Sequence, residues 1–192
     1  MHGLAVALDI AASLACDERN LAKVRLYSSE IIELSTRHRF AVSMAIGAIY
    51  RGWALSAGGK SAEGVLSIEQ GLRDLLATGE LEPAGYYLVL RAEALYLADR
   101  TYEALEAIKE AELLAEKFGG RAFVTLLLRL RGVLLAAMGA EEIQIESSFC
   151  EAIRIAKEQK SVLWAKRAEA TYAEYQRQKA SAAGKRGFRL SL

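Results

Sequence analysis

A chain of 192 residues with 53% apolar residues and one proline carries enough apolar surface for one compact domain or a short solenoid, which excludes a disordered chain. Its 25 basic and 24 acidic residues nearly cancel, so net charge gives no long-range pull toward nucleic acid or an anionic membrane. The two cysteines, Cys16 and Cys150, form no CxxC or Cys/His spacing and read as small core residues in a reducing compartment.

Ala, Leu and Glu outnumber the β-branched residues, which favours helix throughout. The opening stretch from Met1 to Cys16 is apolar, but it contains no Lys or Arg and Asp9 interrupts it. We therefore read Gly3 to Cys16 as a helix rather than an export signal, broken at Asp17-Glu18-Arg19-Asn20. Leu21 to Arg37 follows, with Leu21, Val24, Ile31, Ile32 and Leu34 on an apolar face at helical spacing. Phe40 to Ala57 ends at Gly58-Gly59, where glycine accepts the left-handed conformation that closes a helix. Ser61 is expected to cap a helix running to about Thr78. Pro83 suits the first turn of the next, which extends to about Ala98. Thr101 caps a helix that stops at Gly119-Gly120. Arg121 to Met138, Glu141 to Gln159 and Ser161 to Gln178 bring the expected total to nine, joined by turns so short that neighbours pack as antiparallel hairpins. The longest apolar stretch, Phe123 to Ala140, carries Arg129 and Arg131 near its middle and is no membrane span. The expected compartment is the cytoplasm.

One pattern organises these helices. Arg51-Gly52-Trp53-Ala54-Leu55 returns 40 residues later as Arg91-Ala92-Glu93-Ala94-Leu95, and again at the same interval as Arg131-Gly132-Val133-Leu134-Leu135. The second helix of each pair repeats as well. Gly64, Ile68 and Gly71 match Ala104, Ile108 and Ala111, while Ile145, Phe149 and Ala152 follow one residue later. Small residues stand where helices must approach closely; Ile68, Ile108 and Phe149, with Leu55, Leu95 and Leu135, fill the gaps. This is the small–large alternation of stacked helix hairpins, which cannot bury their apolar faces without neighbours. The expected fold class is all-α, a tetratricopeptide-like α-solenoid with hairpins at about 3–37, 40–79, 83–119 and 121–159 and a final helix at 161–178. Its period exceeds the usual 34 or so. Residues 179–192 form a basic tail expected to be mobile, in which Phe188-Arg189-Leu190 offers a docking segment.

Arg51, Arg91 and Arg131 are the sharpest candidates for function. On successive first helices they would stand about 10 Å apart and could grip carboxylates or phosphates of a partner peptide through their planar forks. The competing reading is that each pairs with a nearby glutamate on a solvated face. Trp53, Tyr86, Glu93, Tyr96 and Arg129 lie where the inward helices of such arrays present a groove, with interhelical core packing as the alternative for the aromatic residues. Tyr172 and Tyr175 on the last helix either cap the stack or form a self-association patch. His2 and His38 have no second ligand or nucleophile at useful spacing. Glu103, Glu106 and Glu110 read as a solvated face paired with Lys109 and Lys117. Lys185, Arg186 and Arg189 are too short a basic run to indicate nucleic acid.

A family resemblance follows from the Arg-Gly-Trp-Ala-Leu run, the glycine pair at Gly58-Gly59, and the Glu-Gly-Val, Gln-Gly-Leu-Arg and Ala-Thr-Gly segments between Phe40 and Gly79. With Tyr86-Tyr87-Leu88, Arg129-Leu130-Arg131-Gly132 and the run from Phe149 to Gln159, most of residues 20 to 178 resembles the C-terminal tetratricopeptide region of large bacterial signalling proteins of the class III adenylate cyclase or AAA-type ATPase kind. The resemblance implies a regulatory and interaction region rather than a catalytic one. No GxxxxGK[ST] loop and no paired metal-binding aspartates occur, so neither ATPase nor cyclase chemistry carries over, and no metal or cofactor is expected. Two functions stand side by side. The first is a non-enzymatic scaffold that holds a protein or peptide in the repeat groove. The second is a small-ligand-sensing domain that controls an attached or partner cyclase, ATPase or transcription regulator. An open groove favours the first and an enclosed polar cavity the second. Homodimerisation through the stack ends is a third expectation.

Overall fold

A computed structural model describes residues 1–81, 83–120, 122–181 and 190. Among these the chain is all-α, with helices α1 (His2–Asp17), α2 (Leu21–His38), α3 (Ala41–Ala57), α4 (Ser61–Ala77), α5 (Ala84–Leu97), α6 (Thr101–Phe118), α7 (Val124–Ala137), α8 (Glu142–Glu158) and α9 (Val162–Ser181). None of these helices is long and apolar enough to cross a membrane.

Each of the first eight helices is closed by a residue with positive φ. Glycine fills that place after α3, α4, α6 and α7, whereas Arg19, Arg39, Asp99 and Lys160 fill it after α1, α2, α5 and α8. The closing hydrogen bonds explain part of the sequence repeat. The carbonyls of Leu55, Leu95 and Leu135 accept from the amides of Lys60, Arg100 and Ala140 at 2.9–3.0 Å, which satisfies helix-end acceptors. Of these three leucines only Leu95 is buried; Leu55 and Leu135 are half-exposed, so the recurring leucine closes helices more than it fills gaps. Two of the residues expected as N-caps are already helical. Lys60 occupies the N-cap of α4 and Ser61 is its first helical residue, and Thr101 is likewise the first residue of α6. A side-chain cap does occur at Asn20, within the expected break, where Oδ1 accepts from the Lys23 amide at 3.1 Å.

The chain divides into two compact units, Met1–Arg100 and Thr101–Leu192. In the first, consecutive helices α1 to α5 pack on one another, and α1 touches α3 as α3 touches α5. In the second, α6 to α9 pack consecutively and α7 touches α9. Contact between alternate helices within each unit is the stacking expected of a solenoid-like array.

The repeated positions form the cores of these units. Ile68, Ile108, Phe149, Ala104, Ala111 and Ala152 are fully buried, and Gly64 and Gly71 are buried as well. Where α3 crosses α4 the backbones nearly touch: a Cβ on Gly52 would lie 2.6 Å from the Gly64 carbonyl oxygen and 2.9 Å from the Ile68 amide nitrogen. Cys16 is buried as expected, but Cys150 is exposed on α8, and both thiols are unbridged. Helix α9 runs past Gln178 to Ser181. The tail residues 182–189, 191 and 192, which include Lys185, Arg186, Phe188 and Arg189, lie outside the described residues; Leu190 is buried.

Candidate interaction surfaces

The first unit gathers polar groups along its odd-numbered helices. Arg19 takes the left-handed conformation at the end of α1, which turns its side chain onto α3 and α5. Its Nη1 donates to Glu93 Oε1 in an ion pair, and its guanidinium lies 5.3 Å from the centre of the Trp53 ring. Glu93 and Trp53 are 6% and 1% exposed, so this pair faces the interior of the unit. One turn away, the Tyr50 and Tyr87 hydroxyls donate to Asp9 Oδ1 at 2.7 and 3.1 Å. The two rings meet edge to face with centres 5.8 Å apart.

Electrostatics make this cluster a packing device. Burial pushes the Asp9 carboxyl above its usual range, and the two tyrosine donors only partly oppose it. Burial, with Glu93 and Asp17 close by, pushes the Cys16 thiol well up, so it stays protonated and unreactive at neutral pH. Tyr50, Tyr86 and Tyr87 are likewise pushed well up by burial, and Tyr50 and Tyr87 serve as donors to Asp9, not bases.

The arginine series separates into paired and unpaired members. Arg91 on α5 lies 3.5 Å from Glu69 on α4, and Arg131 on α7 lies 2.9 Å from Glu112 on α6. Each of these arginines turns toward the preceding helix, the competing expectation for the series. Arg51 is exposed with no ion pair among the described residues; 40 residues before Glu69, on α2, stands Ser29. Tyr96 and Arg129 are 8% and 3% exposed, and Arg129 reaches Thr171 on α9 at 3.4 Å. Trp53, Glu93, Tyr96 and Arg129 thus lie inside their units, and the Tyr86 hydroxyl is buried too. Tyr172 stacks on Phe149 and Tyr175 packs tilted against it, with ring centres 5.5 and 5.9 Å away, so the last helix caps α8. His2 and His38 both pack against Phe40. Glu106 pairs with Lys109 at 2.7 Å, as expected of a solvated face.

An open surface lies in the second unit, along α7. Val124, Leu128 and Arg131 form a half-exposed edge at helical spacing. A depression of about 420 Å³ on the α6 side is lined by Glu112, Glu116, Leu127 and all three edge residues. On the α8 side, one of about 350 Å³ is lined by Leu128, Arg131, Ile143 and Glu151. A third, of about 320 Å³, joins Val124 to Arg154, Ile155 and Glu158. Ile143 is 78% exposed at the margin. Arg154 bridges Glu151 and Glu158, and its hydrogen bonds hold the Glu151 carboxyl below its usual range. An apolar floor with a charged rim, where Arg131 is paired with Glu112 and Arg154 with Glu151 and Glu158, is the composition of a protein-binding surface.

Of the residues singled out in the sequence, Arg131 alone belongs to this groove. Leu128 is hard to single out in the sequence because a helix as apolar as α7 reads as buried on every side. The signal that marks it is the step of four and three from Val124 through Leu128 to Arg131, which ends in a charge.

No family model matches the chain, and no solved structure matches it. An uncharacterized protein of Rhizobium meliloti (strain 1021) is similar, 25% identical over 167 residues. The matched segment is 87% of this chain and 16% of that protein, so the chain spans less than a fifth of the length of this relative.

Proposed function

We propose that the chain is a non-enzymatic helical-repeat module that holds a partner protein or peptide in the groove along α7. The observation that carries this reading is a set of adjoining depressions, the first joined to the second through Leu128 and Arg131 and to the third through Val124, apolar on the floor and charged at the rim. These depressions open to solvent, which favours an extended or helical peptide over a small molecule enclosed on all sides. The resemblance to the repeat region of bacterial cyclase and ATPase signalling proteins supports a regulatory role in such a system. The greater length of the Rhizobium relative supports a module that works inside a larger protein.

The test is selection of peptides from a random displayed library against the chain, followed by calorimetric titration of the recovered sequences. Leu128→Glu puts a charge in the floor and should weaken binding by about tenfold or more, while helicity stays that of the parent. Arg51→Ala, on the exposed surface of the first unit, should leave affinity unchanged. Recovery of no binding peptide, or equal affinity for the parent and Leu128→Glu, would sink the reading.

A further inference from the structure

The groove along α7 is built by α6, α7 and α8, three consecutive helices with α5 before them and α9 after them in the chain. Its charge is unlike that of the whole sequence. The full chain balances to +1, whereas α6 and α8 carry nine glutamates against four lysines and arginines. Three of those four cations are engaged elsewhere. Lys109 pairs with Glu106 at 2.7 Å and Lys157 with Glu169 of α9 at 2.8 Å. The Lys117 ammonium lies 5.2 Å from the centre of the Phe118 ring.

At the depressions themselves Glu112, Glu116, Glu151 and Glu158 stand against Arg131 and Arg154. Arg131 matches Glu112 one to one, while Arg154 is divided between Glu151 and Glu158. Glu116 is exposed and makes no ion pair among the described residues. The described rim is thus acidic, with carboxylates left over at both ends of an apolar floor formed by Val124, Leu128 and Ile155, all half-exposed.

That charge selects among occupants. A second copy of this surface would set carboxylate against carboxylate, and nucleic acid or an anionic membrane would meet the same repulsion. A neutral apolar peptide could fill the floor but would leave Glu116 and the shared Glu151 and Glu158 without partners. A segment with apolar anchors and lysine or arginine beside them satisfies both parts of the surface.

We infer that the occupant of the groove along α7 is a basic amphipathic segment of a partner protein, with its apolar side chains on Val124, Leu128 and Ile155 and its cations on Glu116 and the Glu151–Glu158 pair. This rests on the groove reading above and adds the chemistry of the partner to it.

Peptides recovered from the random displayed library test it. Their lysines and arginines should outnumber their acidic residues, and replacing those basic residues by glutamine in the tightest peptide should weaken binding by about tenfold. Raising the salt from roughly 0.05 to 0.5 M should weaken the parent peptide and leave the glutamine version nearly unchanged. Glu116→Lys should weaken binding about fivefold or more. It places a cation in the last turn of α6, which suits the helix dipole, so the fold should persist, and circular dichroism checks this. Glu30→Lys, at an exposed glutamate on α2, makes the same change in net charge and should leave affinity unchanged. Peptides that Leu128→Glu weakens, but that lack a basic excess and bind Glu116→Lys as tightly as the parent, overturn this inference and leave the groove reading standing. Recovery of no binding peptide, or of peptides indifferent to Leu128→Glu, overturns both.

Discussion

Asp9 shows how a single carboxylate can tie three helices together at a cost. It accepts from Tyr50 on α3 and Tyr87 on α5, and burial raises its folded pKa above the usual 3.8. The folded state therefore binds this proton more tightly than the unfolded chain does. As pH rises from 3.8 through the raised value, this group makes stability fall, and above that value the loss stays constant. Asp9→Asn keeps an oxygen acceptor for both hydroxyls and abolishes the titration. Its melting temperature relative to the parent should rise through that window and then stay level to pH 7. An advantage that shrinks with rising pH would refute the assignment. Asp9→Ala removes the acceptor instead and should cost about 1–3 kcal/mol below that window and less above it.

Among elements, the crossing of α3 and α4 sets the tightest requirement. In an exposed helix Gly→Ala is expected to stabilise by about 1 kcal/mol. At Gly52 the added methyl would press on the Gly64 carbonyl and the Ile68 amide, which are backbone and cannot swing aside. Gly52→Ala should therefore destabilise by about 1–3 kcal/mol in urea unfolding, the reverse of its helix propensity. A neutral or stabilising result would mean that the two helices separate easily. The repeat itself did not foretell this, because the same position holds alanine at Ala92. What the sequence made legible was periodic: nine helices, their hairpin order, and the small residues at the crossings, all read from spacing alone. Cap residues were less legible. Ser61 and Thr101 look like N-caps by type, yet each is already helical, and Asn20 caps from within an apparent break. The groove was least legible of all. Leu128 and buried Leu127 differ only in which side of α7 lacks a neighbour, and composition does not encode that.

At the scale of the whole chain, stability should pass from neighbour to neighbour and fade with distance along the repeats. Phe149 is where this can be measured. It is fully buried on α8, its ring lies 2.8 Å from where a Cβ on Gly132 of α7 would stand, and it packs against the rings of Tyr172 and Tyr175 of α9. One side chain thus joins three helices of the second unit. Phe149→Ala should cost about 3–5 kcal/mol locally, because the cavity it leaves is walled by three helices that cannot all close in. Native-state hydrogen exchange resolves where that loss is felt. Amides of α7, α8 and α9 should lose protection by about 100-fold or more, since 1.4 kcal/mol corresponds to a factor of ten. Amides of α1 to α3, several repeats away, should lose much less. Equal loss across all nine helices would show one cooperative block, and the nearest-neighbour description of this chain would have to be abandoned.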